Sequence, residues 1–235
     1  MNMSTLAGYI DHAILHPTVT DSAALEEIES LKHYPLGSLC VRPSSVAATA
    51  AALVGTPIPT CTVIGFPQGT PCTSVKVFEA EKAIADGATE VDMVVNIGKT
   101  LSADWEYVHA DIAAVMAAAK AHEAMLKVIF ETDFVTEDAD KIKLCEICSD
   151  IGVDYVKTST GFGFVKGEGG MSYTGATEHD VKLMRTHCPD TIGIKASGGI
   201  RTLEHALRFV ELGATRLGTS STVAILEKAR QELGE

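Results

Sequence analysis

The segment Asp86-Gly87-Ala88-Thr89-Glu90-Val91-Asp92-Met93-Val94-Val95-Asn96 decides how the chain is to be read. A helical stretch ends at its glycine, and a short apolar run rich in valine follows. A left-handed glycine cap leading into a strand buried on both faces is the join of a βαβ unit. Ile151-Gly152-Val153 and Leu212-Gly213-Ala214 repeat the device. Working outward, strand-like runs fall at 8–12, 38–42, 60–65, 90–96, 126–131, 155–159, 193–196 and 216–219. Helix-like segments separate them. The clearest spans 102–122, where Trp105, Val108, Ile112, Val115 and Ala119 recur at helical spacing behind a Ser102 cap. Another starts at Thr177, with Asp180 three residues on in a variant of the capping box.

Eight strand–helix units in 235 residues approach the ~250-residue norm of a (β/α)₈ barrel. An open doubly wound sheet is the competing architecture, but no G-x-G-x-x-G follows the first strand. No Pro/Gly/Ser-rich linker or low-complexity tract divides the chain. The expectation is an α/β protein, a single (β/α)₈ TIM barrel forming one catalytic domain over 1–235.

The chain carries 31 Asp and Glu against 19 Lys and Arg, a net charge of −12, which argues against nucleic-acid and anionic-membrane partners. An anionic small substrate stays open if its pocket gathers positive charge. The 46% hydrophobic content is enough for a sizeable core. The uncharged run 43–75 contains Gly55, Pro57, Pro59, Gly65, Pro67, Gly69 and Pro71, which would break a helix in lipid. Residues 1–9 have neither a basic nor an apolar signal region, so no secretory signal is expected. Six scattered cysteines suit a reduced, cytoplasmic compartment better than a disulfide framework.

In a barrel, reactive groups project from the carboxyl ends of the strands. Those ends carry Asp11, Cys40 and Asp92. Lys127 lies early in the fifth run with Glu131 at its end, and Lys157 and Lys195 sit in the sixth and seventh. Lysine is seldom fully buried unless paired. One such lysine is as readily a snorkelling side chain or a barrel-floor ion pair. Lys157 and Lys195 together, on adjacent strands and followed by small residues, would converge on one cavity. Two nearby ammonium groups repel and an apolar wall disfavours charge, so both effects would leave an uncharged amine able to form a Schiff base. Asp92 would hold or relay protons, a role compatible with a barrel ion pair. Gly198-Gly199 after the seventh run and Gly218-Thr219-Ser220-Ser221 after the eighth occupy the usual phosphate loops of these barrels, and Gly161 would complete the cradle.

These residues carry a resemblance to a known family. Ile10-Asp11-His12, Cys40-Val41, Val63-Ile64-Gly65-Phe66-Pro67, Glu90 to Gly98, Leu126 to Thr132, Tyr155 to Gly161, Ile194 to Arg201 and Arg216 to Ser221 resemble the deoxyribose-phosphate aldolases through nearly the whole chain. The resemblance implies a class I aldolase on a (β/α)₈ fold. Its reaction is reversible cleavage of 2-deoxy-D-ribose 5-phosphate to acetaldehyde and D-glyceraldehyde 3-phosphate, in deoxyribonucleoside catabolism. It makes Lys157 the Schiff-base lysine, Lys195 its perturbing neighbour and Asp92 the proton relay. Cys40, Phe66 and Thr160 match pocket positions, and Gly161, Gly198, Gly199, Ser220 and Ser221 match the phosphate set. Asp11 and Lys127 are supporting charges. Charge and spacing alone do not choose Lys157 over Lys195. The family analogy also implies a homodimer, with no cofactor and no metal, acting on small phosphorylated sugars and aldehydes. The alternatives are another imine-forming aldolase on a different phosphosugar and a catalytically silent phosphosugar-binding barrel.

One departure is the glycine-rich insertion 162–173, with Phe162 where some family members carry a lysine. It is expected to form a mobile flap beside the mouth. Cys145 and Cys148 form C-x-x-C inside a helical stretch and read as core packing. His12 and His16 lack a third ligand at metal spacing. The remaining histidines read as surface residues. Cys40 reads first as inert pocket lining, in a position where an aldehyde product would reach it.

Overall fold

A computed structural model describes residues 1–167 and 169–234. After a short helix α1 (Met3–Ala7), the chain runs β1 (Ile10–Ile14), α2 (Asp21–Leu31), β2 (Ser38–Val41), α3 (Val46–Ala52), β3 (Thr60–Ile64), α4 (Thr73–Ala85) and β4 (Glu90–Val94). It continues through α5 (Ile97–Leu101), α6 (Trp105–Ala121), β5 (Met125–Ile129), α7 (Asp138–Ile151) and β6 (Tyr155–Lys157). The pair β7 (Val165–Gly167) and β8 (Gly170–Ser172) precedes α8 (Glu178–His187), β9 (Gly193–Ser197), α9 (Leu203–Glu211), β10 (Arg216–Thr219) and α10 (Thr222–Leu233). Eight parallel strands close in the order β1-β10-β9-β6-β5-β4-β3-β2, with β1 pairing both β10 and β2. The expected TIM barrel is the observed fold.

Side-chain alternation divides each barrel strand between two environments. Leu39, Val41, Ile64, Val91, Met93, Leu126, Val128, Val156, Ile194, Ala196 and Leu217 belong to the large apolar cluster that the helices cover. The residues between them, among them Asp11, Cys61, Asp92, Lys127, Lys157 and Lys195, share the barrel interior. The main apolar core is therefore the layer between strands and helices, and the interior holds the charges beside a small Cys40–Cys61–Val63 cluster.

The three junction glycines all take positive φ (Gly87 107°, Gly152 75°, Gly213 99°), as the cap reading requires. Thr177 caps α8, its hydroxyl accepting from the Asp180 N–H at 3.0 Å. Two boundaries move. The first strand starts at Ile10 because Met3–Ala7 is helical and Gly8 ends that turn. Ser102 does not cap the long helix: a short helix capped by Asn96 comes first, Ala103 turns the chain with φ 54°, and Asp104 caps α6. Within 162–173, β7 and β8 form an antiparallel pair with both strands exposed, and Phe164 meets Tyr173 edge-on at 5.3 Å. Glu168 of that segment lies outside the described residues. Cys145 and Cys148 are fully buried on α7, in the core as expected.

Candidate active site

Strand register assembles a charge cluster in the barrel interior. Lys157 faces Lys195 across β6 and β9, and Asp92 faces Lys127 across β4 and β5. Lys157 and Lys195 both donate to Asp92 Oδ2, at 2.7 and 2.8 Å, while Lys127 donates to Oδ1 at 2.8 Å. Lys195 also pairs with Asp11 Oδ2 at 2.6 Å. Lys127 pairs with Glu90 Oε2 at 2.6 Å and with Asp11 Oδ2 at 3.4 Å. Arg216 closes the floor, bonding Asp11 and donating to Glu90 Oε1 at 3.0 Å. Four cations thus meet three carboxylates, nearly all out of water. Breaking a buried pair by removing one partner costs about 3–5 kcal/mol, so the members hold one another in place.

Beside the repulsion expected between Lys157 and Lys195, carboxylates interleave with the lysines. Burial pushes Lys195 down, but Asp11 and Asp92 outweigh it and hold its ammonium group well above the ordinary lysine range. Lys127 is raised in the same way, against burial, by Asp11, Asp92 and Glu90. Burial alone would raise Asp92, yet Lys127, Lys157 and Lys195 keep it well below the usual carboxylate range. Asp11 is likewise depressed against burial, by Lys127, Lys195 and Arg216. At rest Lys195 is therefore held as a cation, and Asp92 as an anion among three lysines.

Above the cluster opens a cavity of about 340 Å³. Lys157, Lys195, Asp11, Cys40, Thr160, Gly161, Gly198, Gly199 and Ser220 line it. Asp92 and Lys127 lie behind this wall as its electrostatic support. Phe66 stands beside it, packing on the Cys40–Cys61–Val63 cluster and meeting Phe162 edge-on at 5.4 Å. Ser221 is the N-cap residue of α10, its N–H bonded to Thr219 Oγ1 at 2.9 Å. Gly198 has φ 92°, and a Cβ there would meet Gly175 Cα at 2.9 Å, so two backbones cross where a side chain cannot fit. Among the described residues Asp11 is the one carboxylate on the wall, against Lys157, Lys195 and Arg201. The mouth is locally positive on a chain of net charge −12.

Sequence reading missed several members. Glu90 and Arg216 open their strands and look like boundary residues, although period-2 counting back from Asp92 reaches Glu90. His16, Arg201, Phe164 and Tyr173 line the cavity from loops, where no periodicity marks them. Glu131, buried with φ 57°, accepts from the Thr160 N–H at 3.3 Å and from its hydroxyl, and Thr160 in turn accepts from the Phe162 N–H at 2.9 Å. Burial pushes the Glu131 carboxyl up. This chain of bonds fixes the wall segment that follows Lys157.

His12 points away from the mouth, bonded to Glu27 at 2.9 Å and Thr222 at 2.8 Å, so it shares no site with His16. Among the described residues, one group offers metal-ligand spacing: Cys40, Cys61 and Asp92, with ligand atoms within 4.8 Å of one another. Both Asp92 oxygens already accept from ammonium groups.

"Deoxyribose-phosphate aldolase 1" of Oceanobacillus iheyensis is 47% identical over 221 residues, covering 94% of this chain and 95% of that one. The solved structure "QR15, an Aldolase" superposes with a TM-score of 0.87 at 34% identity, covering 98% of this chain and 99% of that one. The tetrameric deoxyribose phosphate aldolase of Aeropyrum pernix superposes with a TM-score of 0.86 at 30% identity, covering 98% and 93%. The sequence model of the DeoC/LacD family aldolases matches residues 5–228, and the chain belongs to that family.

Proposed function

We propose that this chain reversibly cleaves 2-deoxy-D-ribose 5-phosphate to acetaldehyde and D-glyceraldehyde 3-phosphate through an imine on Lys157, in the breakdown of deoxyribonucleosides. The observation that carries the choice of nucleophile is the unequal sharing of carboxylates. Lys127 pairs with three, Lys195 and Arg216 with two each, and Lys157 with Asp92 alone, through an oxygen that Lys195 also uses. Loss of one proton from Lys157 leaves three cations against three carboxylates. Lys157 also stands on the cavity wall, where a substrate carbonyl reaches it.

The phosphate is held by the loops carrying Gly198, Gly199 and Ser220, with Gly161 opposite and Arg201 adding charge. The Lys157 amine adds to the aldehyde carbon of the open-chain sugar. The Lys195 ammonium group, buttressed by Asp92, protonates the departing hydroxyl, water leaves, and an iminium ion forms. The C3 hydroxyl passes its proton, through water, to the Lys195 amine left by the dehydration, the C2–C3 bond breaks, and its electron pair passes into the iminium as an enamine while glyceraldehyde 3-phosphate departs. Protonation of the enamine carbon and attack by water release acetaldehyde and restore the Lys157 amine. The whole of 1–235 acts as one catalytic unit in the cytoplasm, as a homodimer; the tetramer of the A. pernix relative supports assembly of more than one copy. Among the described residues no helix is long and apolar enough to cross a membrane.

Product analysis tests the reading. Acetaldehyde and glyceraldehyde 3-phosphate in equal amounts are expected. Dihydroxyacetone phosphate would indicate another imine-forming aldolase, and absence of turnover with tight phosphosugar binding would indicate a silent barrel.

A further inference from the structure

We propose that Cys40 and Cys61 are a redox pair, joined by peroxide into a reversible disulfide inside the barrel. The two residues are direct Cα partners on β2 and β3. Neighbouring strands lie about 4.8 Å apart, within the roughly 4.4–6.8 Å that disulfide Cα atoms span. Their sulfurs lie within 4.8 Å of each other. Cys40 lines the cavity, so a small oxidant arriving by the substrate route reaches its sulfur, and Cys61 lies directly behind it, fully buried.

The surroundings divide the work between the two thiols. The neighbouring Cys61 side chain holds the Cys40 thiol below its ordinary range, against burial and Asp92, with help from Lys195 and Lys157. Burial keeps Cys61 protonated. The Cys40 thiolate attacks one peroxide oxygen, the O–O bond breaks, and hydroxide leaves to become water, with Cys40 oxidised to the sulfenic acid. Cys61 sulfur then attacks the Cys40 sulfur. Its proton passes to the departing sulfenic hydroxyl, which leaves as a second water. Two thiols and one peroxide give one disulfide and two waters. Lys127, 3.3 Å from the Cys61 sulfur, stabilises the developing thiolate. The other four cysteines are off this cavity: Cys72 is exposed, and Cys145, Cys148 and Cys188 are buried elsewhere. Drawing Cys61 to Cys40 removes a hydrogen-bond donor from Asp92 and fastens two strands beneath the reacting lysine. The bond itself does not depend on the proposed reaction; its effect on turnover does.

The test is non-reducing peptide mapping of the full chain after hydrogen peroxide, with cleavage activity followed in parallel. A linked pair of peptides carrying Cys40 and Cys61, two hydrogens lighter than the free pair, is expected to rise as activity falls. Dithiothreitol should restore both. In Cys61→Ser, peroxide should carry Cys40 on to the sulfinic acid, with activity that dithiothreitol does not recover. Unlinked Cys40 and Cys61 peptides in the treated wild type would overturn the proposal, whether or not activity falls. A linked pair with unchanged activity would overturn its effect on turnover.

Discussion

Replacing Lys127 with methionine removes the cation most enclosed by carboxylates. Its ammonium group is fully buried and contacts Glu90 at 2.6 Å, Asp92 at 2.8 Å and Asp11 at 3.4 Å. Methionine fills similar space, so the loss is chiefly electrostatic. Arg216 and Lys195 still serve Glu90 and Asp11, but Asp92 Oδ1 loses its only cation. A buried pair deprived of one partner costs about 3–5 kcal/mol, and we expect a loss of that size at pH 7. The pH dependence has a definite sign. In the wild type Asp11 and Asp92 are depressed, so their stabilisation is present above the unfolded carboxyl value of about 4 and is lost only as pH falls through the depressed values. In the variant they are less depressed and take up protons at a pH closer to that unfolded value, which relieves the unpaired charge. The gap between the two proteins should therefore be larger at pH 7 than at pH 3. Urea denaturation followed by circular dichroism, at one protein concentration, measures both. A loss under about 1 kcal/mol, as for a surface pair, or a gap equal at both pH values would refute the reasoning.

Asp92→Asn should lower kcat for cleavage by about 10²–10⁴, the usual worth of a positioned proton-transfer group, with a smaller change in KM. A purely KM effect would remove Asp92 from proton transfer. Gly198→Ala forces a side chain into φ 92° against the Gly175 backbone at 2.9 Å. We expect KM for 2-deoxyribose 5-phosphate to rise by about tenfold or more, with unphosphorylated 2-deoxyribose spared; equal losses on both would contradict the phosphate assignment. Amides of β7 and β8 should exchange far faster than those of β9 in the free protein and slow when the substrate phosphate is bound. Protection equal to β9 would show a rigid insertion.

The barrel was legible because its strands bury one face under helices and are separated by capped helical stretches, so apolar runs recur at even intervals. Lys157, Lys195 and Asp92 stood out as charges in runs otherwise fit for burial. The charge state of Lys195 was not legible: its partner Asp92 lies 103 residues away, and register alone brings them to 2.8 Å. The difference between the two lysines also exists only in space, in the number of carboxylates each touches. Glu90 and Arg216 were lost at strand boundaries. His16 and Arg201 sit in loops, where neither period 2 nor period 3.6 applies. Ser102, expected to cap the long helix, behaves differently for a local reason: it donates to the Gly98 carbonyl at 2.7 Å and ends one helix, leaving Asp104 to begin the next.

The most direct test is borohydride reduction of the protein in the presence of acetaldehyde, followed by peptide mass spectrometry. The proposed mechanism forms its imine on Lys157, so one two-carbon adduct is expected on that residue, with Lys195 unmodified. An adduct on Lys195 in its place, or none on either lysine, would contradict the account.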